Sequence, residues 1–283
     1  MTGSYESLRQ VTSLAGVVLA DNPSAMTLEG TNSWLLRDDP ARRAAIVVDP
    51  GPLDERHLAA VVAAAGTVSM ILLTHGHPDH SAGAGRLHEL TGAPVLALDP
   101  AHRLGSEGLA EGAVVSAAGV AVEVWATPGH TSDSLCFLVP GAGADSGAAV
   151  LTGDTILGRG STVVAHPDGV LADYLASLRR LSGLTGVSVL PGHGPELPDA
   201  GAAALAYLAH REQRLEHVRA VLALLPDASA QDVVERVYAD VDRALWPAAE
   251  LSVLAQLAYL RTSRPDLTCR GVTLNENPDS RSG

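Results

Sequence analysis

The stretch Val68-Ser69-Met70-Ile71-Leu72-Leu73-Thr74-His75-Gly76-His77-Pro78-Asp79-His80 decides the reading of this chain. Its first half is a continuous apolar, β-branched run, which reads as a buried strand. Its second half crowds three imidazoles and a carboxylate into six positions. Neutral imidazole and carboxylate are the donors that zinc and related divalent ions take, and four of them this close exceed what one tetrahedral centre uses while keeping a position open. The spacing therefore points to two metal ions. Ser81 to Leu90 reads as a helix with Pro78 in the turn before it, so the cluster falls where a strand ends and a helix begins, a place where α/β proteins keep their chemistry.

Three later pieces repeat this arrangement: Val122 to His130, Ala149 to Asp154 and Val187 to His193 each end a strand-like run on a histidine or an aspartate. Alone, such a residue is more often a cap or a turn residue than a ligand. Behind an H-x-H-x-D-H run, their recurrence makes ligation the better reading.

The series resembles the metallo-β-lactamase superfamily over about the first two hundred residues. That resemblance implies a four-layered αβ/βα sandwich in which His75, His77 and His130 hold one metal, Asp79, His80 and His193 hold the second, and Asp154 bridges them. Three further stretches, Asn22 to Asn32, Gly158 to Val164 and His210 to Leu215, resemble the β-lactamase-like protein 2 group. That group includes a mitochondrial endoribonuclease acting on single-stranded RNA and thioesterase relatives of polyketide pathways. The narrower resemblance suggests Thr31, Asn32, Arg159, Thr162 and Tyr174 as substrate contacts, and His166 follows the same segment towards the cleft. Each of these has a plainer reading as a loop cap or packing residue.

The expected chemistry is that of a dinuclear zinc hydrolase, with iron or manganese suited to the same ligands. A water shared by two divalent ions ionises near neutral pH, so a metal-bound hydroxide can attack a thioester or ester carbonyl without a serine or cysteine nucleophile, with Asp79 orienting it or taking its proton. The same hydroxide could cleave a phosphodiester, so the ligand set fixes the reaction class and not the substrate. A single-strand-specific endoribonuclease is the runner-up. A metal-stabilised interaction protein without activity is the remaining alternative.

Charge favours a small thioester or ester as the partner over RNA. The 283 residues carry 32 acids against 19 basic residues, all arginine, for a net charge of −13. Residues 1–204 hold 21 acids against 10 arginines and residues 205–283 hold 11 against 9, so the acidity sits mainly on the half that bears the motifs. An acidic chain repels polyanions at long range and lacks the basic footprint of a dedicated nucleic-acid binder. One Phe, three Trp and five Tyr leave few base-stacking platforms. The counterweight would be a local cluster of Arg159, Arg211 and Arg214, which sequence cannot assemble. The absence of lysine suggests a GC-rich bacterial genome.

Leu14 to Ala20 reads as a first strand and not an export signal, and no segment reaches transmembrane length. Two cysteines without ligand spacing, Cys136 and Cys269, fit a reduced, cytoplasmic protein. His57, His88 and His217 fall in helical patterns, His102 in a loop and His210 on a helix, all read as surface or core positions. Strand candidates alternate with amphipathic stretches such as Asp54 to Ala65 and Leu171 to Leu181, an α/β pattern with two sheets' worth of strands. Gly141 to Gly147 reads as a hairpin loop. The chain divides into a catalytic domain, 1–204, and a helical, winged-helix-like domain, 205–283. The second holds helices near Ala202 to Leu225, Ser229 to Asp240 and Ala248 to Arg261, a strand-like Gly271 to Leu274 and a disordered tail from Asn275. A helical lid or a homo-oligomer surface is the competing use of those helices.

Overall fold

The computed structural model describes residues 4–141 and 147–262. The middle of the Gly141 to Gly147 loop, Cys269, the strand-like Gly271 to Leu274 and the tail from Asn275 lie outside the described residues. Strands β1 (Leu8–Gln10), β2 (Ala15–Leu19), β3 (Asn32–Leu36) and β4 (Ala44–Val48) lead into helix α1 (Glu55–Ala65), then β5 (Thr67–Leu72), the short helices α2 (Pro78–Ser81) and α3 (Ala84–Thr91), and β6 (Val95–Leu96). These six strands make one sheet in chain order, antiparallel from β1 to β4 and parallel from β4 to β6.

The second sheet takes β7 (Val114–Ala117), β8 (Val120–Ala126), β9 (Leu135–Val139), β10 (Ala149–Gly153) and, after α4 (Leu171–Leu181), β11 (Ser188–Pro191). Its order is β11-β10-β9-β8-β7, with only the β10–β11 pair parallel. Helices α5 (Ala200–Leu224), α6 (Ala230–Val237) and α7 (Trp246–Thr262) complete the described chain.

Alternation along the strands builds the layers, because successive side chains point to opposite faces. Ile46 and Val48 of β4 meet Val122, Val124, Phe137 and Leu151 between the sheets, whereas Ala45 and Val47 face Leu58, Val61 and Leu87 of the helices outside the first sheet. On the far side, Val150 and Val189 of the second sheet pack with Leu175 and Leu178 of α4, Leu215 and Val218 of α5, Val233 of α6 and Val253 of α7. The result is the four-layered αβ/βα sandwich. The outer layer of the second sheet continues without a break into the C-terminal helices, and α5 runs through residues 204 and 205.

Local signals set several boundaries. Asp54 caps α1 by accepting from the backbone N–H groups of Arg56 and His57. Ser229 and Asp232 form a reciprocal capping box at the start of α6. The helix expected from Ser81 to Leu90 is instead two pieces, with Pro78 in the first turn of α2 and not in a preceding turn. The break has a physical cause: the Gly83 N–H donates to the Gly51 carbonyl at 3.0 Å, which takes it out of helical bonding and pins the segment to the end of the first sheet. Strand β1, Leu8-Arg9-Gln10, has no apolar run to announce it and is exposed, and β7 is a four-residue edge strand whose exposed and partly buried residues alternate. Among the described residues no helix is long and apolar enough to cross a membrane.

The approach of the β8–β9 loop to α4 depends on Gly129, whose φ of 143° suits glycine and whose missing β-carbon leaves room for the Tyr174 backbone. We expect Gly129→Ala to lower the melting temperature by roughly 5 °C or more, from strain of about 1–3 kcal/mol plus the clash. An unchanged thermal unfolding curve would show that this approach is not a constraint.

Candidate metal centre

Of the seven residues expected as ligands, five come from the loops just after strands and two, Asp79 and His80, from the short helix α2, all gathered at one edge of the two sheets. His75, His77, Asp79 and His80 follow β5, His130 follows β8, Asp154 follows β10 and His193 follows β11. Backbone bonds tie these ends together across the sandwich. The Leu135 N–H donates to the Thr74 carbonyl at 2.7 Å, the Asn32 N–H donates to the Gly192 carbonyl at 2.8 Å, and Thr31 forms a β-bridge with His193. His75, His77 and His130 form one group, Asp79, His80 and His193 a second, and His75, His80 and Asp154 a third that joins them, with the ligand atoms of each group within 4.8 Å of one another.

The hydrogen bonds on the far side of each ring show what the near side offers. Nδ1 of His130 lies 2.6 Å from the Val163 carbonyl and Nδ1 of His193 lies 3.1 Å from the Gly30 carbonyl. A carbonyl only accepts, so both rings carry their proton on Nδ1 and present a bare Nε2. His80 donates from Nδ1 to the Asp49 carboxylate at 2.9 Å. Thr74 donates its hydroxyl to the same carboxylate at 2.7 Å and so accepts from His75 Nδ1 at 3.0 Å. Nε2 of His80 then faces Nε2 of His193 at 3.1 Å, and Nε2 of His75 and of His130 face Nδ1 of His77 at 3.1 and 3.0 Å. Ring nitrogens so aimed at one another need a proton or another cation among them.

The carboxylates add to that demand. Oδ2 of Asp79 is 3.1 Å from His193 Nε2, and Oδ1 of Asp154 lies 3.4 and 3.5 Å from His80 and His193 Nε2. Asp154 Oδ1 is buried and makes no hydrogen bond, a state that costs a charged group more than about 1–3 kcal/mol unless something else satisfies it. Burial opposes charge on Asp154, yet His193, His80 and His130 hold its pKa well below the usual carboxylate range. Burial likewise opposes charge on His80, and the carboxylates of Asp154 and Asp49 outweigh it and hold His80 well above the usual histidine range. His75, under burial and then the neighbouring His80 and His130, is held well below. The bare cluster thus draws positive charge to its centre, as a proton on His80 facing Asp154, which is the charge that a bound divalent metal would supply in its place.

Asp49 is the site residue that sequence reading passed over. It accepts from the Thr74 backbone N–H and hydroxyl and from His80, is 1% exposed, and holds a left-handed φ of 52°. Its signal was present: Val48-Asp49-Pro50-Gly51 is another strand run ending on an aspartate.

A cavity of about 290 Å³ adjoins the cluster, with His130 and Asp154 on one side and α5 and the segments around α6 and α7 on the other. Of the six substrate-contact candidates, Arg159 and Thr162 line it. Arg159 pairs with Glu29 at 2.5 Å, and Thr162 donates its hydroxyl to the Asp154 carbonyl at 2.8 Å. The other four are placed elsewhere. Thr31 is fully buried and bonded to Asn22, and Asn32 donates to the Pro191 and Gly194 carbonyls, so both fasten the His193 loop. Tyr174 is fully buried, its hydroxyl donating to the Thr155 carbonyl at 2.7 Å. His166 is partly buried and outside the cavity wall. Arg211, Arg214 and His210 do line the cavity, so the three arginines that sequence could not assemble converge beside the cluster. His57 is a buried core histidine bonded to Ser33 and Glu6, each at 2.8 Å. Cys136 is a buried thiol pushed up by burial to about 11.

Known proteins share both the fold and the motifs. Residues 26–193 match the family model described as the metallo-beta-lactamase superfamily, and residues 229–263 match the beta-lactamase associated winged helix domain. The beta-lactamase-like protein 2 homolog of Drosophila melanogaster is 30% identical over 90% of this chain and 90% of its own length. The atrochrysone carboxyl ACP thioesterase of Aspergillus fumigatus is 36% identical over 62% of this chain, which spans 55% of that relative's length. In fold, the chain is similar to a metallo-beta-lactamase family protein from Thermus thermophilus, with a TM-score of 0.71, 23% identity, and coverage of 88% of this chain and 93% of that one. The strand-end cluster, the sandwich that carries it and these matches together make the chain a member of the metallo-β-lactamase superfamily of metal-dependent hydrolases.

Proposed function

We propose that the protein hydrolyses a small thioester or ester with two zinc ions held by His75, His77 and His130 on one side and by Asp79, His80 and His193 on the other, Asp154 lying between them. The observation that carries this reading is the set of imidazole nitrogens facing one another at 3.0–3.1 Å, with a proton of His75, His80, His130 and His193 committed to the opposite side of the ring. Five imidazoles and two carboxylates suit zinc well, and iron or manganese accept the same donors. Bound divalent ions would supply Lewis acidity and a water able to act as nucleophile at neutral pH.

The chain's own residues do the rest. Asp79 has a side chain 30% exposed, against 13% for Asp154 and 5% or less for His80, His130 and His193, so its carboxylate is placed to orient an incoming water and to take its proton. Burial and the His193 hydrogen bond act oppositely on Asp79, and the balance keeps it below the usual carboxylate range, ready to accept. Thr162 fixes the Asp154 backbone from within the cavity wall. A relative named as a thioesterase and the small cavity beside the cluster favour an acyl substrate over a polynucleotide. We assign this chemistry to residues 1–204, with the described helices of the second unit, residues 205–283, lining the other side of the cavity.

Three outcomes test this reading. Asp154→Ala should lose metal, measured by elemental analysis, together with hydrolysis, whereas Arg159→Ala should keep its metal; full occupancy and activity in the first variant would refute the ligand assignment. Asp49→Asn should weaken metal retention in a chelator competition by about 10–100-fold, since it removes the carboxylate that orients His80 and Thr74, and an unchanged affinity would leave Asp49 a purely structural residue. Offered simple acyl thioesters and a short single-stranded RNA, the zinc-loaded protein should turn over the thioesters and leave the RNA intact. RNA cleavage abolished by an Asp79/His80 double-alanine variant, without thioester turnover, would establish the endoribonuclease reading instead.

A further inference from the structure

The wall opposite the metal ligands carries groups that the hydrolytic step does not use. Although the chain has a net charge of −13, three arginines line the 290 Å³ cavity against a single carboxylate, Asp154, which belongs to the ligand cluster. Arg159 is matched by Glu29 at the mouth. Arg211 and Arg214 have no carboxylate partner among the described residues.

Helix α5 places His210, Arg211 and Arg214 on adjoining positions of one turn. Arg211 is 2% exposed; its guanidinium donates to the Thr162 carbonyl and lies 5.1 Å over the Tyr174 ring, and its Nε is buried without a partner. Arg214 donates to the Val237 carbonyl at 2.8 Å and, at 3.5 Å, from Nε to Nε2 of His210. A neutral imidazole that accepts at Nε2 keeps its proton on Nδ1, and burial, then Arg211 and Arg214, hold His210 below the usual histidine range and so neutral. Nδ1 of His210 is therefore an N–H donor, and it too is buried without a partner. Both atoms are closed off from the cavity itself; what the cavity meets is the positive charge of Arg211 and Arg214, which no carboxylate of the described residues offsets, and an unbalanced charge in a pocket wall is matched by an anionic ligand.

We propose that this cavity is an oxyanion subsite for the acyl part of the substrate: the ester or thioester carries, beyond its scissile carbonyl, a carboxylate or phosphate received by the charge of Arg211 and Arg214, the latter positioned by His210. The placement of the carbonyl at the ligand cluster rests on the hydrolase reading above. Leu157, Val163, Val241 and Leu245 make the intervening wall apolar, so the link between carbonyl and anion is a short hydrocarbon chain. A volume of about 290 Å³ admits an acyl group of a few carbons.

The test compares N-acetylcysteamine thioesters of glutaric acid, with a free far carboxylate, and of valeric acid, neutral and of equal carbon number, on the metal-loaded protein. We expect kcat/KM to favour the glutaryl thioester by about tenfold or more, as for a hydrogen bond to a charged group, and Arg214→Gln and His210→Leu to bring the ratio towards one, chiefly through KM. In parallel, glutarate and inorganic phosphate should raise the melting temperature of the wild-type protein and not of the two variants, and whichever acts more strongly identifies the oxyanion. Equal turnover of both thioesters would overturn the subsite and leave the hydrolase reading standing. Turnover of neither, with anion stabilisation lost in both variants, would do the reverse. Anion stabilisation equal in wild type and variants would place the anion at the metals alone and overturn the subsite.

Discussion

The opposed ring nitrogens of the histidine cluster are the constraint on which the rest of this structure depends. Five imidazoles do not spontaneously turn their basic nitrogens towards one another. Four of them are held from behind, and the holding groups come from distant parts of the chain: the Val163 carbonyl for His130, the Gly30 carbonyl for His193, and the Asp49 carboxylate for His80 and, through Thr74, for His75. Parallel and antiparallel strands ending at one edge of two sheets supply this economically, because a strand end is fixed by its ladder while the loop that follows is free to aim a side chain. The left-handed φ at Asp49 and the unsatisfied Asp154 oxygen are local costs of that geometry, concentrated where function requires them.

Those costs are carried by three apolar layers, and the C-terminal helices belong to one of them. Leu215 and Val218 of α5, Val233 of α6 and Val253 of α7 share a cluster with Val150 and Val189 of the second sheet. The helices are thus part of the core that holds β10 and β11, and Asp154 and His193 with them. One helix, α5, contributes Leu215 and Val218 to that core and His210, Arg211 and Arg214 to the cavity. A change in the packing of α5 therefore reaches both the ligands and the opposite wall of the pocket, which couples substrate selection to the integrity of the catalytic edge.

Sequence made the metal cluster legible because its signal is dense and local: His75 to His80 fall within six positions, and the later ligands repeat one pattern of apolar run followed by turn and donor. Strands with inward-facing alternation, such as Ala44–Val48 and Ala149–Gly153, were legible for the same reason. Asp49 was not, since a lone aspartate after a strand reads as a turn residue until its partners Thr74 and His80, 25 and 31 positions away, are seen beside it. Strand β1 escaped because it is an exposed edge strand held by pairing with β2, and β7 because only Val115 and Ala117, both partly buried, turn to the core from an edge of four residues. Thr31, Asn32 and Tyr174 look polar and near the motifs in sequence, yet they spend their polar groups on backbone carbonyls and on Asn22, fixing loops.

Net charge speaks to one length scale only. A total of −13 describes the field at a distance, and at physiological ionic strength that field fades within about 8–10 Å of the surface. Inside a cavity walled by Leu157, Val163 and Leu245, the balance is set by the few groups that face it, and there the arginines outnumber the carboxylate three to one. The exterior can therefore disfavour a long polyanion approaching from solution while the interior favours one oxyanion on a small substrate. Those two effects act on different length scales, so on the proposed reading they would select by size among anions: what must lie along the acidic surface would be repelled, and what fits inside the pocket would be held.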